Sequence, residues 1–259
     1  MLILTVMAEQ KGIIKLKGKI DGHSTYYHSP TGKWIIRRNG IRTREMLMQK
    51  KCFARVREHM SEFGVASRIG KSIRRVLQHM GKGYTESYIS GKLTSSILQI
   101  IQSRDGEKGQ RQLEPGTGIL LKDYALNDAL RIHSKMLYSN AIEIVSNRDA
   151  VNIDLTIKQQ SAPSGATHYG VKLIAGGISD WQYNEGYSEQ YDLRHVYAIS
   201  TLPELAITSD LITSVNLQLP PAIPNDAGIA LAIGVCYYQK VNGKLHELSE
   251  KYGEIIGVY

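Results

Sequence analysis

From residue 137 onward the apolar residues stop recurring at helical spacing and gather into short runs separated by turns. An antiparallel sandwich or barrel needs this, because each strand must reverse before the next can pair with it. The runs fall at 141–146, 151–157, 167–175, 181–183, 195–200, 212–219, 229–239 and 253–258. Pro220, Pro221 and Pro224 separate two of them, and Asn242-Gly243 marks a hairpin between 235–241 and 244–248. About eight strands predict a two-sheet antiparallel β-sandwich, Ig-like or jelly-roll-like.

The first part of the chain reads differently. Ile14, Leu16, Gly18 and Ile20 alternate with lysines up to Asp21-Gly22, a strong hairpin signal. A second run at 24–28 ends in Ser29-Pro30-Thr31-Gly32, and a third occupies 33–38, which predicts a three-stranded meander. Thr43 is placed to cap a helix carrying Met46, Leu47, Phe53, Val56 and Met60. The helical pattern breaks near 61–64 and resumes through Val65, Ile69, Ile73, Val76, Leu77 and Met80. Another helix is expected over 86–102, with Ile89, Leu93, Ile97, Leu98 and Ile101 on one side. The Gly-rich, charged stretch 103–118 contains Pro115 and reads as a linker. The expected fold class is therefore α+β: a basic β-meander and helical domain at 1–105, a linker and connecting helix at 106–136, and a β-sandwich domain at 137–259.

Charge separates the two parts. Residues 1–82 hold 18 Lys+Arg and 5 Asp+Glu, whereas 83–259 hold 14 and 19. That asymmetry points to an anionic partner for the first part: nucleic acid, an acidic protein surface or the negative half of another copy. The candidate contacts are Arg37, Arg38, Arg42, Arg44, Lys50, Lys51, Arg55 and Arg57, followed by Arg68, Lys71, Arg74 and Arg75. Charges on neighbouring helix faces can follow a phosphate track without any sequence-reading module. Cys52 and Cys236 are the only cysteines, too few for a disulfide framework or a CxxC pair. Residues 1–7 read as a terminal strand or an upstream start with Met7 as alternative initiator, and no run is long enough to span a bilayer. The expected location is the cytoplasm, or a virion if the chain is phage-derived.

No catalytic constellation emerges. Residues 64–72, GVASRIGKS, miss the phosphate-loop spacing by one residue and sit within a helical pattern, whose amides are already bonded. Eight histidines show no zinc spacing, and His168 with Asp180 lacks a nucleophile elbow, so neither a metal nor another cofactor is expected. Around the acids Asp180, Glu185, Glu189 and Asp192 lie Trp181, Tyr183, Tyr187 and Tyr191, a composition suited to protein or glycan contact.

Three segments, KGIIKLKGKIDGHSTYYHSPTGKWIIRRNGI, RVREHMSEFGVASRIGKSIRR and GIALAIGVCYYQKVNGKLHEL, resemble an uncharacterised protein family of Bacteroidota genomes and prophages. The shared elements are the K-G-x-x-K-x-x-G-x-I-x-G start with Tyr26-Tyr27, the E-F-G core, G-A-T-H-Y at 165–169 and Y-Q-x-V-N-G at 238–243. The resemblance implies a virion or assembly role. The expected function is thus a non-enzymatic structural or assembly protein that associates with itself or with other subunits. Sequence-nonspecific nucleic-acid binding is the alternative, and a carbohydrate-binding module is the third.

Overall fold

A computed structural model describes residues 7–38, 44–111, 113, 121–128, 131–132, 136–159, 161–179 and 192–259. The fold is α+β with an N-terminal β-meander, and packing divides the chain into the units Met1–Arg57 and Glu58–Tyr259. These units differ in extent from the expected domains 1–105 and 137–259. The physical reason lies in the second unit, where the helical segment beyond Glu58 buries its apolar stripe on the sheet rather than in a core of its own.

In the first unit β2 (Gly18–Ile20), β3 (His23–His28) and β4 (Lys33–Arg38) form the expected meander, and β1 (Met7–Glu9) adds to the far side of β4. Asp21 and Gly22 have φ of 43° and 71°, the paired positive values of a two-residue hairpin turn that matches strand twist. The strand expected from Ile14 is shorter than its alternating pattern suggested, since only Gly18–Ile20 pairs with β3. The helix α1 (Arg44–Gln49) follows, and its proposed cap Thr43 lies outside the described residues.

The second unit has three layers. The helix α2 (Ala54–Gln78), which begins in the first unit, and α3 (Ile89–Gln102) form one. The middle layer is a six-stranded antiparallel sheet of β5 (Tyr124–Ala125), β8 (His168–Ile178), β9 (Tyr197–Thr201), β10 (Leu205–Ala206), β12 (Gly228–Val241) and β13 (Lys244–Val258). The third is a three-stranded sheet, β11–β7–β6, of β6 (Met136–Ile144), β7 (Ala150–Gln159) and β11 (Leu211–Gln218). The two sheets stack in a sandwich-like way. Val151, Ile153, Leu155, Val215 and Leu217 of the small sheet share one core with Val171, Leu173, Ile229, Leu231 and Ile233 of the large one.

The opposite face of the large sheet is also buried, which the expected sandwich did not include. Ile174, Ala230, Ala232 and Ile255 pack against Val65, Ile69, Ile73, Leu93 and Ile97 of the helices. Small residues on that face let the helices approach. A Cβ on Gly176 would lie 2.7 Å from Cγ2 of Val76, and one on Gly234 would lie 2.5 Å from Met80 and 2.7 Å from the Tyr84 ring.

The break expected near 61–64 is absent, because α2 runs unbroken through it. Glu62 points inward there, 1% exposed, accepting bonds from Arg111 Nε at 2.7 Å and Gly109 N–H at 2.9 Å. The interruption falls earlier, at Lys50, whose backbone is extended. Residues 124–125 form β5 on the edge of β13 instead of part of a connecting helix, and the 181–183 run lies outside the described residues.

Candidate anion-binding surfaces

The basic candidates divide between the two units. In the first, Arg37 and Arg38 are adjacent on β4 and therefore point to opposite faces of the sheet. Arg38 pairs with His23 on the face that carries Thr25, Tyr27, Trp34 and Ile36, whereas Arg37 pairs with Ser24 on the face of Lys19, Tyr26 and Lys33. Tyr27 is 50% exposed, and its ring lies 5.5 Å from that of Trp34. Arg44, Lys50, Lys51 and Arg55 are exposed at or after α1. Arg42 lies outside the described residues.

Arg57 does something other than expected. Its Nη1 donates to the carbonyls of Leu47 and Lys50 at 2.8 and 3.0 Å, satisfying groups that the end of α1 leaves without helical partners. It is a helix cap before it is a phosphate contact.

In the second unit Arg68, Lys71, Arg74 and Arg75 share the solvent side of α2, opposite Val65, Ile69, Ile73 and Val76. Arg74 Nε bonds the Gly70 carbonyl one turn back, which holds its guanidinium along the helix. Gly64, Gly70, Lys71 and Ser72 all lie inside this helix, and Gly70 is where Thr94 of α3 comes closest. Their amides belong to the helix and cradle no phosphate.

Arg75 also lines a cavity of about 10 Å³ with Ser72, His79, Ser179 and Arg194. That volume suits one water molecule. His79 stacks on Tyr197 at 3.6 Å, and burial, followed by the nearby His195, pulls its pKa below 6.5. Arg194 grips Asp192 through two bonds of 2.7 and 2.6 Å, and that pairing holds the Asp192 carboxyl well below the usual range. Trp181, Tyr183, Tyr187 and Tyr191, with Asp180, lie outside the described residues.

His168 meets Thr167 Oγ1 at 2.9 Å, and that hydroxyl also bonds the Tyr238 carbonyl, so the pair ties β8 to β12. A groove of about 540 Å³ lined by Lys92, Lys122, Tyr124, Asp128 and Glu254 was not visible in the sequence. Its charges are largely paired: Lys92 lies 2.5 Å from both Glu86 and Asp128, and Glu254 accepts the Tyr138 hydroxyl. The distant positions of these partners in the chain concealed them. Among the described residues, no three His, Cys, Asp or Glu side chains gather as a metal site would require, and no helix is long and apolar enough to cross a membrane. The chain matches no protein-family model and no curated protein.

Proposed function

We propose that the chain is a non-enzymatic structural or assembly protein, phage-derived, whose layered β body makes protein contacts while its basic N-terminal part meets an anionic partner. The observation that carries this reading is the make-up of Met1–Arg57. It holds 13 Lys+Arg against 3 Asp+Glu, and Thr25 is its one buried side chain among the described residues. A few strands without a covered apolar face are marginal alone, so such a unit is completed by what it binds. Its charge steers it toward anions. The resemblance to prophage proteins favours a virion component, self-associated or joined to other subunits.

The test is the solution mass of nuclease-treated protein by light scattering at low and high salt, with retention on immobilised heparin measured alongside. The expected result is a defined oligomer that survives high salt, with heparin retention lost as salt rises. A monomer at both salts that also ignores heparin refutes the reading.

Nucleic-acid binding is the second reading, favoured by the shared solvent side of Arg68, Lys71, Arg74 and Arg75. Replacing the four with Gln is then expected to flatten the salt dependence of DNA affinity, by about 0.9 in log–log slope for each phosphate no longer neutralised. An unchanged slope removes it. The carbohydrate-binding reading rests on Trp181 and its neighbours, and its test is tryptophan fluorescence against a glycan panel.

A further inference from the structure

We infer that residues 10–17 form a docking loop for an anionic lipid bilayer, with Ile13 and Ile14 entering the acyl boundary and the surrounding lysines meeting lipid phosphates. The inference rests on the reading that the N-terminal part meets an anionic partner, and it specifies that partner.

The loop is held at its neck. Gln10 N–H donates to the Trp34 carbonyl at 2.8 Å, fixing Gln10 on β4. Its side-chain amide then accepts from Leu16 N–H at 3.0 Å and donates to the Leu16 carbonyl at 3.2 Å. Lys15 Nζ closes the same neck by donating to the Gln10 carbonyl. The intervening residues therefore project as a preformed tip.

At that tip stand Ile13 and Ile14, 103% and 80% exposed, the two most exposed large apolar side chains among the described residues. Leu16 and Ile20 are each 49% exposed. Two adjacent isoleucines in open water are costly to leave uncovered. Around them lie Lys11, Lys15, Lys17 and Lys19, and no acidic residue intervenes between Glu9 and Asp21. Lysine stems can lie along the acyl boundary while their ammonium groups stay at the phosphates. An apolar tip and a basic collar are each weak membrane signals, and together they make a stable attachment. Tyr27 and Trp34, on the same small sheet, are the residue types that settle at a lipid interface.

Other anionic partners explain less. Nucleic acid would take the lysines and leave the isoleucines in water. A groove on an acidic protein reads a shaped helix or strand, and residues 11–17 form neither. A bilayer requires only the tip and the collar.

The experiment is co-sedimentation of the protein with phosphatidylcholine vesicles prepared with and without phosphatidylserine, at low and high salt. Binding is expected only with phosphatidylserine and is expected to weaken with salt. The double change Ile13→Ser and Ile14→Ser is expected to weaken it at least about tenfold. Lys15→Gln and Lys17→Gln are each expected to cost about fivefold. Circular dichroism establishes that the variants remain folded. Failure to bind vesicles while heparin or a single-stranded oligonucleotide is still retained overturns the lipid inference and leaves the anionic-partner reading standing. No retention on any of these surfaces overturns both. Vesicle binding unaffected by the isoleucine changes also overturns the inference, because the tip is then not what inserts.

Discussion

Replacing Gly176 with alanine tests the contact on which the layered body depends. The added methyl would sit 2.7 Å from Cγ2 and 2.8 Å from Cγ1 of Val76, and 3.3 Å from Cβ of Tyr197. Neither neighbour yields easily, because a β-branched side chain on a helix has one favoured rotamer and Val76 is only 5% exposed. The methyl must therefore push α2 off β8 or strain both, which costs about 2–3 kcal/mol. For a body of this size that corresponds to a fall in melting temperature of roughly 5–10 °C. Urea or thermal unfolding measures it, and a double-mutant cycle assigns it. Val76→Ala alone is expected to cost about 2 kcal/mol by leaving a void. The double variant is expected to be at least about 1 kcal/mol more stable than the two single effects sum to, since the void receives the methyl. Gly64→Ala is the control: nothing lies within 4 Å of its Cβ on the same helix, so it is expected to stabilise by about 0.5–1 kcal/mol. Additive effects of the Gly176 and Val76 changes would refute the helix-on-sheet packing described above.

The remaining predictions concern single groups. Burial alone would raise the pKa of Glu62, but the Gly109 N–H and the Arg111 guanidinium outweigh it and hold the carboxyl below 4.5. Its stabilising contribution is then complete above pH 4.5 and is lost as pH falls through the lower folded value. Glu62→Gln is expected to cost about 2–3 kcal/mol at neutral pH and to shrink that acid sensitivity, as read by urea midpoints across pH. His79 is expected to titrate below 6.5 by NMR, and removing the neighbouring charge with His195→Gln is expected to raise that midpoint. Of the two thiols, exposed Cys52 is expected to react with a thiol reagent in the native protein, and buried Cys236 only on unfolding; equal rates for both would contradict the burial of β12.

What could be read from the sequence was what neighbouring residues decide among themselves. Asp21-Gly22 and Asn242-Gly243 set their hairpins because each pair accepts the positive φ that a tight turn imposes, and both pairs adopt it. The helical stripe from Val65 to Leu77 was equally plain, since its period is local. What escaped depended on partners far along the chain. Ser61 and Glu62 look like a helix break until Arg111, 49 residues on, supplies the counter-charge. Arg57 looked like a free cation until the extended Lys50 left carbonyls for it to cap. The double burial of β12 did leave a trace: an almost uninterrupted apolar run over 229–238 is what a strand covered on both faces requires, whereas a strand facing water alternates. Charge marked the basic part of the chain plainly, but a count of lysines carries no record of what they meet.

The central place of β12 also governs how the molecule comes into being. About 150 residues separate the end of α2 at Gln78 from Gly228, where the strand that covers it begins. At ribosomal speeds of about 5–20 residues per second, the helix waits roughly 8–30 s with its greasy side uncovered. During that interval the nascent chain is a natural client for chaperones, and a synonymous change that slows translation between α2 and β12 could lower the yield of the protein without altering a single atom of it.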